Sequence, residues 1–251
     1  MSGVATSRWW LAALALCPAF AGAAAPTDWR DIESRTQYAW YTEDARDLAA
    51  VARRVTELPP DRQRGYYLAL IQMRAAQLSL ARPAADVQGA QRAAGDCISA
   101  ADEVLADTPA DAEVLALQAL CMDLRARTRT LGVPFTAARS RSQMQRALQL
   151  APKDPRVRLL AAQLAYAGAR ASQDRARLLD QFQSAVDAFE LERQGLERVP
   201  AWGAAEAWEG LAQVYLDRGD AIAARSALEQ ALLLVPEFKL AHRQLDHILR
   251  G

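Results

Sequence analysis

The chain has 251 residues, and its 30 basic and 30 acidic side chains give a formal net charge of zero, so no overall field would attract nucleic acid or an anionic membrane. Apolar residues make up 51% of the chain, enough for a substantial core, which excludes wholesale disorder. Alanine, leucine, arginine and glutamine are abundant and β-branched residues rarely alternate with polar ones, so we expect helices rather than strands.

Residues 1–25 have the pattern of a secretory signal peptide. One positive charge, Arg8, precedes an apolar run that starts at Trp9, and the segment ends in small residues. Such segments are cleaved after an Ala-x-Ala motif, so we expect cleavage after Ala23 or, alternatively, after Ala25. The mature chain then keeps 29 basic and 30 acidic side chains, a net charge of −1. These features predict a periplasmic or secreted protein.

Two alternatives to a cleaved signal peptide find less support in the sequence. An uncleaved anchor would need a longer apolar helix, because the run is interrupted by Pro18 and Gly22. A lipoprotein would be cut just before Cys17, but Leu16 stands where Gly, Ala or Ser is usual. We therefore expect neither a membrane span nor a lipid anchor in the mature protein.

The rest of the chain has the pattern of successive helix pairs. Apolar residues recur every three to four positions, and prolines such as Pro109 and Pro152 end the second helix of a pair. The expected pairs are 29–41 with 43–58, 62–79 with 87–107, 111–127 with 138–150, 154–170 with 173–194, and 203–217 with 220–234, and a capping helix at 237–249 follows. The connections at 80–87 and 128–137 are long for a repeat array and are candidates for function.

The segment from Ala205 to Phe238 shows the clearest internal order. Counted from Ala205 as position 1, aromatic, apolar and small residues stand at regular places: Trp208 at 4, Leu211 at 7, Ala212 at 8, Tyr215 at 11, Ala224 at 20, Leu228 at 24, Ala231 at 27 and Pro236 at 32. The first four share one helix face and the later ones lie on a second helix. Gly219 and Asp220 supply the turn between the two helices.

This pattern resembles the tetratricopeptide repeat (TPR), with Ala212 in place of the usual Gly and Leu228 in place of the usual Phe. One such helix pair cannot bury its own apolar faces, so the resemblance implies a stack of pairs. We expect an all-α fold, an α-α superhelix of about five helix pairs with a capping helix, over residues 26–251. The PAWG segment at Pro200–Gly203 and the order of the units resemble those of exported bacterial TPR proteins.

The resemblance also implies a binding groove, because positions 2, 5, 9, 12 and 13 of the first helix in each pair line the concave face of TPR proteins. The candidates for partner binding at these positions are Glu113, Asp123, Arg156, Gln163, Tyr166, Glu206, Glu209, Gln213 and Asp217. Leucines such as Leu120 and Leu159 stand at the same groove positions, so the mixture is acidic and apolar. Such a surface favours a partner segment with basic and apolar residues. The alternative is that they are ordinary exposed polar positions.

The sequence contains no evident catalytic or metal-binding constellation. It has no Walker-type glycine loop, no G-x-S-x-G elbow, no H-E-x-x-H and no C-x-x-C motif. His242 and His247 are five residues apart, a spacing that separates them around a helix, so we expect surface positions rather than a metal pair. We expect neither enzymatic activity nor a cofactor.

Cys97 and Cys121 are the two cysteines of the mature chain, and each lies twelve residues from Pro109. Two antiparallel helices that turn near Pro109 would hold them at equal height. A disulfide is one interpretation, because exported proteins form such bonds. The other is that both are small buried residues, since Cys97 falls at position 20 of a repeat, which requires a small side chain.

Basic residues cluster between Leu124 and Lys153, a stretch without an acidic residue. The candidates for a basic patch are Arg125, Arg127, Arg129, Arg139 and Arg141. Such a patch would bind an anionic partner, such as an acidic peptide, an envelope polymer or lipid headgroups. The alternative is an ordinary solvated face in an arginine-rich chain.

Two functional hypotheses follow from the sequence. The first is an exported, non-catalytic scaffold that binds another protein of the cell envelope through the concave groove. The alternative is a soluble small-ligand binder or transport accessory, with a pocket formed by the long connections between helices. Neither hypothesis involves nucleic acid.

Overall fold

The computed structural model describes residues 27–81, 84–128, 133–169, 174–195 and 201–250. These residues form helices and contain no strand. The helices are α1 Trp29–Tyr41, α2 Ala45–Thr56, α3 Arg62–Ala81, α4 Val87–Asp107, α5 Ala112–Arg127, α6 Val133–Leu150, α7 Pro155–Gly168, α8 Asp174–Arg193, α9 Ala204–Asp217, α10 Ala221–Leu234 and α11 Lys239–Arg250. The predicted signal peptide, with Cys17, and Arg129 of the predicted basic patch lie outside the described residues.

Aspartates start many of the helices. A carboxylate at the N-cap accepts hydrogen bonds from backbone N–H groups of the first turn, which have no partner within the helix. The residues that do so are Asp28, Asp44, Asp86, Asp111, Asp154 and Asp220, before α1, α2, α4, α5, α7 and α10. Much of the helix order is therefore encoded locally in the sequence.

The turn between α9 and α10 forms as the repeat pattern predicts. Gly219 has a φ of +78°, in the left-handed region that favours glycine. Its N–H donates to the carbonyl of Leu216 at 2.9 Å, and the N–H of Asp220 donates to the carbonyl of Tyr215 at 2.9 Å. These two bonds are those of a Schellman motif, which ends a helix and reverses the chain.

The helices stack in pairs, as expected. Each odd-numbered helix from α1 to α9 packs against the even-numbered helix that follows it, and those from α1 to α7 also contact the next odd-numbered helix. Ala212 on α9 and Ala224 on α10 have no exposed surface, which fits their predicted role of letting two helices approach closely. The described residues thus confirm an all-α superhelix of five helix pairs, and α11 packs on α10 as the cap.

One expected helix boundary is wrong by five residues, whereas the others agree with the structure to within two. Helix α6 begins at Val133, although the sequence suggested a connection over 128–137 followed by a helix from 138. Pro134 is the second residue of this helix, and proline is tolerated in the first turn, where N–H groups have no partner within the helix. The connection between α5 and α6 is therefore shorter than expected.

The first and last units of the superhelix touch each other. Arg243 on α11 forms two hydrogen bonds with the carboxylate of Glu43, at 2.8 and 2.5 Å, in the turn after α1. Close by, the ring of Tyr41 meets the ring of Phe238 edge to face, with 4.8 Å between their centres. The first helix pair and the capping helix therefore meet, so the concave face is not open along its whole length.

Candidate functional site

The odd-numbered helices contact one another, and the chain itself covers several residues of their first turns. Three groove candidates stand at position 2 of their repeats: Glu113 on α5, Arg156 on α7 and Glu206 on α9. Each binds other side chains of the protein, and together they show how one half of the concave face is filled.

Glu206 is in the interior of the protein, with 2% of its surface exposed. It accepts a hydrogen bond from the hydroxyl of Tyr41 at 2.6 Å and forms an ion pair with Arg74, which is fully buried. The Arg74 guanidinium lies over the rings of Trp40 and Trp202, 4.5 and 5.1 Å from their centres. Burial, followed by the neighbouring Glu206 charge, raises the pKa of Tyr41 well above its usual value.

Glu113 ends a chain of hydrogen bonds that crosses the same region. The indole N–H of Trp202 donates to the Tyr66 hydroxyl oxygen at 2.9 Å, and that hydroxyl donates to Glu113 at 2.6 Å. Burial raises the pKa of the Glu113 carboxyl to about 7, and the nearby charge of Asp154 adds to the effect while Arg156 opposes it.

Arg156 is 2% exposed and lies between α7 and α8. Its guanidinium donates two hydrogen bonds to Glu192, at 2.8 and 2.9 Å, and lies 5.7 Å from the centre of the Phe189 ring. The expectation that Arg156 and Glu206 line the groove surface is wrong, because each is 2% exposed. Arg156 contacts α8 of its own pair, and Glu206 contacts α1 and α3, so neither side chain faces solvent.

Residues 201–203 cover part of the same half of the concave face, the half that contains position 2 of the repeats. Trp202 is 2% exposed, and the N–H of Ala201 donates to Glu33 on α1 at 2.5 Å. Glu33 also accepts a hydrogen bond from the Tyr67 hydroxyl at 2.7 Å. Gly203 has a φ of +114°, and a Cβ there would lie 2.5 Å from Phe189, so a side chain would not fit.

The later turns of the odd-numbered helices leave a cavity of about 700 Å³, called here the concave cavity. It is bordered by α3, α5, α7, α8, α9 and α11. Its apolar lining includes Leu80, Leu120, Leu124, Phe182 and Leu240, and its polar lining includes Gln77, Arg127, Gln163, Tyr166, Glu209, Gln213 and Gln244. Four of the groove candidates, Gln163, Tyr166, Glu209 and Gln213, therefore lie together on its wall.

Glu209 contributes a carboxylate to the wall of the concave cavity. Its Oε1 accepts a hydrogen bond from the side-chain N–H of Gln244 on α11 at 2.7 Å, and the same nitrogen donates to Gln213 at 2.9 Å. Burial raises the pKa of Glu209 to about 7; the Gln244 bond opposes this shift and the Glu206 charge adds to it. The capping helix thus supplies part of the binding surface.

Tyr166 and Asp217 connect α7 to α9 beside the cavity. The Tyr166 hydroxyl donates to Asp217 at 2.8 Å, and the amide of Gln213 donates to the same carboxylate at 3.1 Å. Burial and the Asp217 bond raise the pKa of Tyr166 above its usual value. These bonds hold Gln213 and Tyr166 in fixed positions on the cavity wall.

The predicted basic patch is divided among different surroundings. Arg127 donates to Asp123 at 2.7 Å, so these two predicted binding residues neutralise each other, and Arg127 lines the concave cavity. Arg141 lines a different cavity of about 430 Å³, between α6 and α8. Arg139 is exposed on α6, whereas Arg125 is half-buried on α5.

Cys97 on α4 and Cys121 on α5 lie opposite each other. Their sulfur atoms are 1.96 Å apart and their Cα atoms 6.2 Å apart, a separation that suits a disulfide. Neither residue has exposed surface. The positions thus satisfy both interpretations from the sequence, since the residues are small and buried and their sulfurs are at bonding distance.

Over the residues that the structure describes, no three or more His, Cys, Asp or Glu side chains converge in a way that could hold a metal ion. Across the same residues, no helix combines the length and apolar character needed to cross a membrane. His242 and His247 are exposed on α11.

Sequence reasoning missed several residues that shape the site, above all Arg74 and Glu33. For Arg74 the sequence contains a weak signal, because this residue is a single charge within the apolar stretch of α3. An isolated charge on a buried helix requires an opposite charge nearby. Sequence spacing does not reveal that the partner, Glu206, lies 132 residues away.

Among known proteins, this chain is similar to solved structures. No protein-family model matches the chain, and no curated protein matches it. The crystal structure of TTC0263, a thermophilic TPR protein from Thermus thermophilus, is similar with a TM-score of 0.59 and 14% identity, covering 89% of this chain and 100% of that one. The Cut9 and Hcn1 hetero-tetramer of APC/C gives a TM-score of 0.39 and 13% identity, covering 87% of this chain but 42% of the other.

Proposed function

We propose that this chain, which has the tetratricopeptide-repeat fold, is an exported, non-catalytic scaffold that binds a segment of another envelope protein in the concave cavity. The observation that carries the proposal is the location of the cavity. It lies on the inner faces of successive first helices, the surface with which superhelical repeats present a binding groove. Apolar and polar side chains converge there from the first helices α3, α5, α7 and α9, from the capping helix α11 and from α8.

The dimensions of the cavity favour a short segment. Contacts between α1, α3, α9 and residues 201–203 fill the half of the groove that contains position 2. What remains, about 700 Å³, accommodates a few residues with their side chains rather than a long helix laid across all five pairs. We therefore infer that the partner inserts a loop or a chain end.

Export is supported by two independent features. The first 25 residues have the composition of a signal peptide, and Cys97 and Cys121 lie at bonding distance, as in proteins of oxidising compartments. If the chain is exported, mass spectrometry of the protein from the periplasm finds an N-terminus after Ala23 or Ala25. An intact N-terminus on protein from the cell interior would contradict export and leave the binding proposal in place.

A small-ligand binder remains the second candidate because the cavity volume also lies within the range of small-molecule sites. The observed cavity differs from the pocket that the sequence suggested for this function. It is formed by helices, whereas the sequence placed it among the connections at 80–87 and 128–137. A metabolite would be recognised by the same lining residues.

Site-specific photo-crosslinking in the native envelope tests the proposal. A photoreactive amino acid is placed at Ala167, an exposed residue of the cavity wall, and in the control at Ile222, an outer residue of α10 that is 83% exposed. We expect one protein adduct from position 167 that is missing from position 222 and is lost when Ala81, also on the wall, is changed to Trp. Equal adducts from both positions would contradict the proposal. No adduct together with metabolite-induced stabilisation would favour the second candidate.

A further inference from the structure

The polar wall of the concave cavity is rich in hydrogen-bond acceptors. The side-chain oxygens of Gln163 and Gln244 are buried and have no hydrogen-bond partner among the described residues. They line the same cavity as the Glu209 carboxylate. Because buried acceptors without donors are unfavourable, the two unpartnered amide oxygens beside the Glu209 carboxylate indicate that a donor from outside the chain completes the site.

The orientation of Gln244 is determined by its neighbours. Its side-chain nitrogen donates to Glu209 at 2.7 Å and to Gln213 at 2.9 Å, and both partners present oxygen atoms. Rotating the amide by half a turn would set oxygen against oxygen at both contacts. The unpartnered atom of Gln244 is therefore an acceptor.

The charge on Glu209 is not compensated within the described residues. Two other carboxylates have a basic partner, since Arg74 pairs with Glu206 and Arg156 with Glu192. Glu33 and Glu113, like Glu209, accept hydrogen bonds from neutral donors. Glu209 forms no ion pair in the described part of the chain; its hydrogen-bond donor is the neutral amide of Gln244. Arg127, the arginine on the cavity wall, is already paired with Asp123.

The remaining wall suits the stem of a long basic side chain. Leu120, Leu124, Phe182 and Leu240 supply apolar surface to the cavity. Lysine and arginine bury their methylene groups against such surface while the charged group reaches polar atoms. Acceptors and apolar surface therefore occur together, and the arginine on the described wall is neutralised by its own carboxylate partner.

We propose that Glu209, with the side-chain oxygens of Gln163 and Gln244, forms a subsite for a lysine ammonium or arginine guanidinium group of the partner segment. The inference rests on the proposed function, because it assumes that a protein segment enters the concave cavity.

In this subsite the Glu209 carboxylate supplies the charge opposite to that of the basic group. The amide oxygens of Gln163 and Gln244 accept further N–H groups. Apolar residues of the segment beside the basic one contact the leucines.

Calorimetric titration with matched peptides tests the subsite. The probes are acetyl-Gly-Leu-X-Leu-Gly-amide, where X is lysine, arginine, norleucine or glutamate. We expect the lysine and arginine peptides to bind at least about tenfold more tightly than the norleucine peptide, and the glutamate peptide to bind most weakly. Similar affinity for all four peptides, or no binding of any of them, would overturn the subsite.

Glu209→Gln is the matched variant, because its amide oxygen can still accept the hydrogen bond from Gln244. It should remove the preference for lysine over norleucine while keeping the affinity for norleucine within about twofold. Glu229→Gln, a change of an exposed carboxylate on α10, should leave the preference intact. A lysine preference that survives Glu209→Gln would assign the cation to another group and refute the inference.

The two proposals can fail separately. If the Ala167 crosslink forms and is unchanged by Glu209→Gln, the subsite is wrong and the scaffold stands. If the peptides discriminate through Glu209 but no protein crosslinks at Ala167, the subsite stands as a cation site and the scaffold is wrong.

Discussion

Arg243 on α11 forms a bidentate ion pair with Glu43 in the turn after α1. The distances between the guanidinium nitrogens and the carboxylate oxygens are 2.8 and 2.5 Å. Glu43 has a φ of +55°, in the left-handed region where Gly219 stands in the corresponding turn of the last pair. A residue with a side chain is unfavourable there by about 1–2 kcal/mol. The chain therefore keeps a strained residue at the point where the first helix pair meets the capping helix.

This arrangement predicts the order of stability of two variants. Arg243→Ala loses a partly exposed ion pair and should lower the free energy of unfolding by up to about 1 kcal/mol. Glu43→Gly loses the same pair but relieves the strain, so it should be the more stable of the two. Urea unfolding measures both. A less stable Glu43→Gly would show that the turn is not strained.

The buried pair of Arg74 and Glu206 predicts a large effect. Arg74→Met leaves the Glu206 carboxylate buried without its counter-charge, so we expect the free energy of unfolding to fall by about 3–5 kcal/mol. The matched control is Arg225→Met, which breaks an exposed pair with Glu229 on α10 and should lower it by less than about 1 kcal/mol. Equal effects in chemical denaturation would contradict the burial of Arg74.

The cysteines provide a third prediction. A bond between Cys97 and Cys121 closes a loop with a sequence separation of 24 residues, which should stabilise the fold by about 3 kcal/mol. Reductant should therefore lower the free energy of unfolding of the exported chain, while a variant with both cysteines changed to Ala should not respond. Two free thiols in denatured, unreduced protein would rule out the bond.

Two buried carboxyl groups predict how stability depends on pH. Glu113 and Glu209 have a pKa of about 7 in the folded protein, against 4.5 as the ordinary value. Between these values the folded state keeps protons that the unfolded state releases, so stability falls as pH rises from about 4.5 to about 7. Each group contributes at most about 1.4 kcal/mol per pH unit.

The Glu209→Gln variant measures how much Glu209 contributes to the pH dependence of the free energy of unfolding. The variant cannot titrate at this position, so its free energy of unfolding should fall less steeply than that of the unaltered chain across the same pH range. The groups that face Glu209 are the neutral amide of Gln244 and the paired carboxylate of Glu206, and neither is changed. Parallel pH curves for the two proteins would contradict the raised pKa of Glu209.

Local signals in the sequence predicted the helix pairs but not the closure of the superhelix. Asp220, Gly219 and Pro236 mark helix ends through short-range hydrogen bonds and steric limits, so their effects can be read from neighbouring residues. The contact between Glu43 and Arg243 depends on small rotations summed over all five pairs, which packing determines. Contacts with the distant helices α1 and α3 likewise cover Glu206, whereas Glu209, three residues later, lies on the cavity wall.

The most direct test of the account is the affinity of the partner captured at Ala167 for variants that narrow the concave cavity. Ala167→Trp adds a large side chain at the cavity wall, and Ala50→Trp makes the same change on the exposed surface of α2. Isothermal titration calorimetry should show at least about a tenfold loss of affinity for Ala167→Trp and less than about a twofold change for Ala50→Trp. Equal affinities of both variants would show that the partner binds elsewhere and would contradict the account.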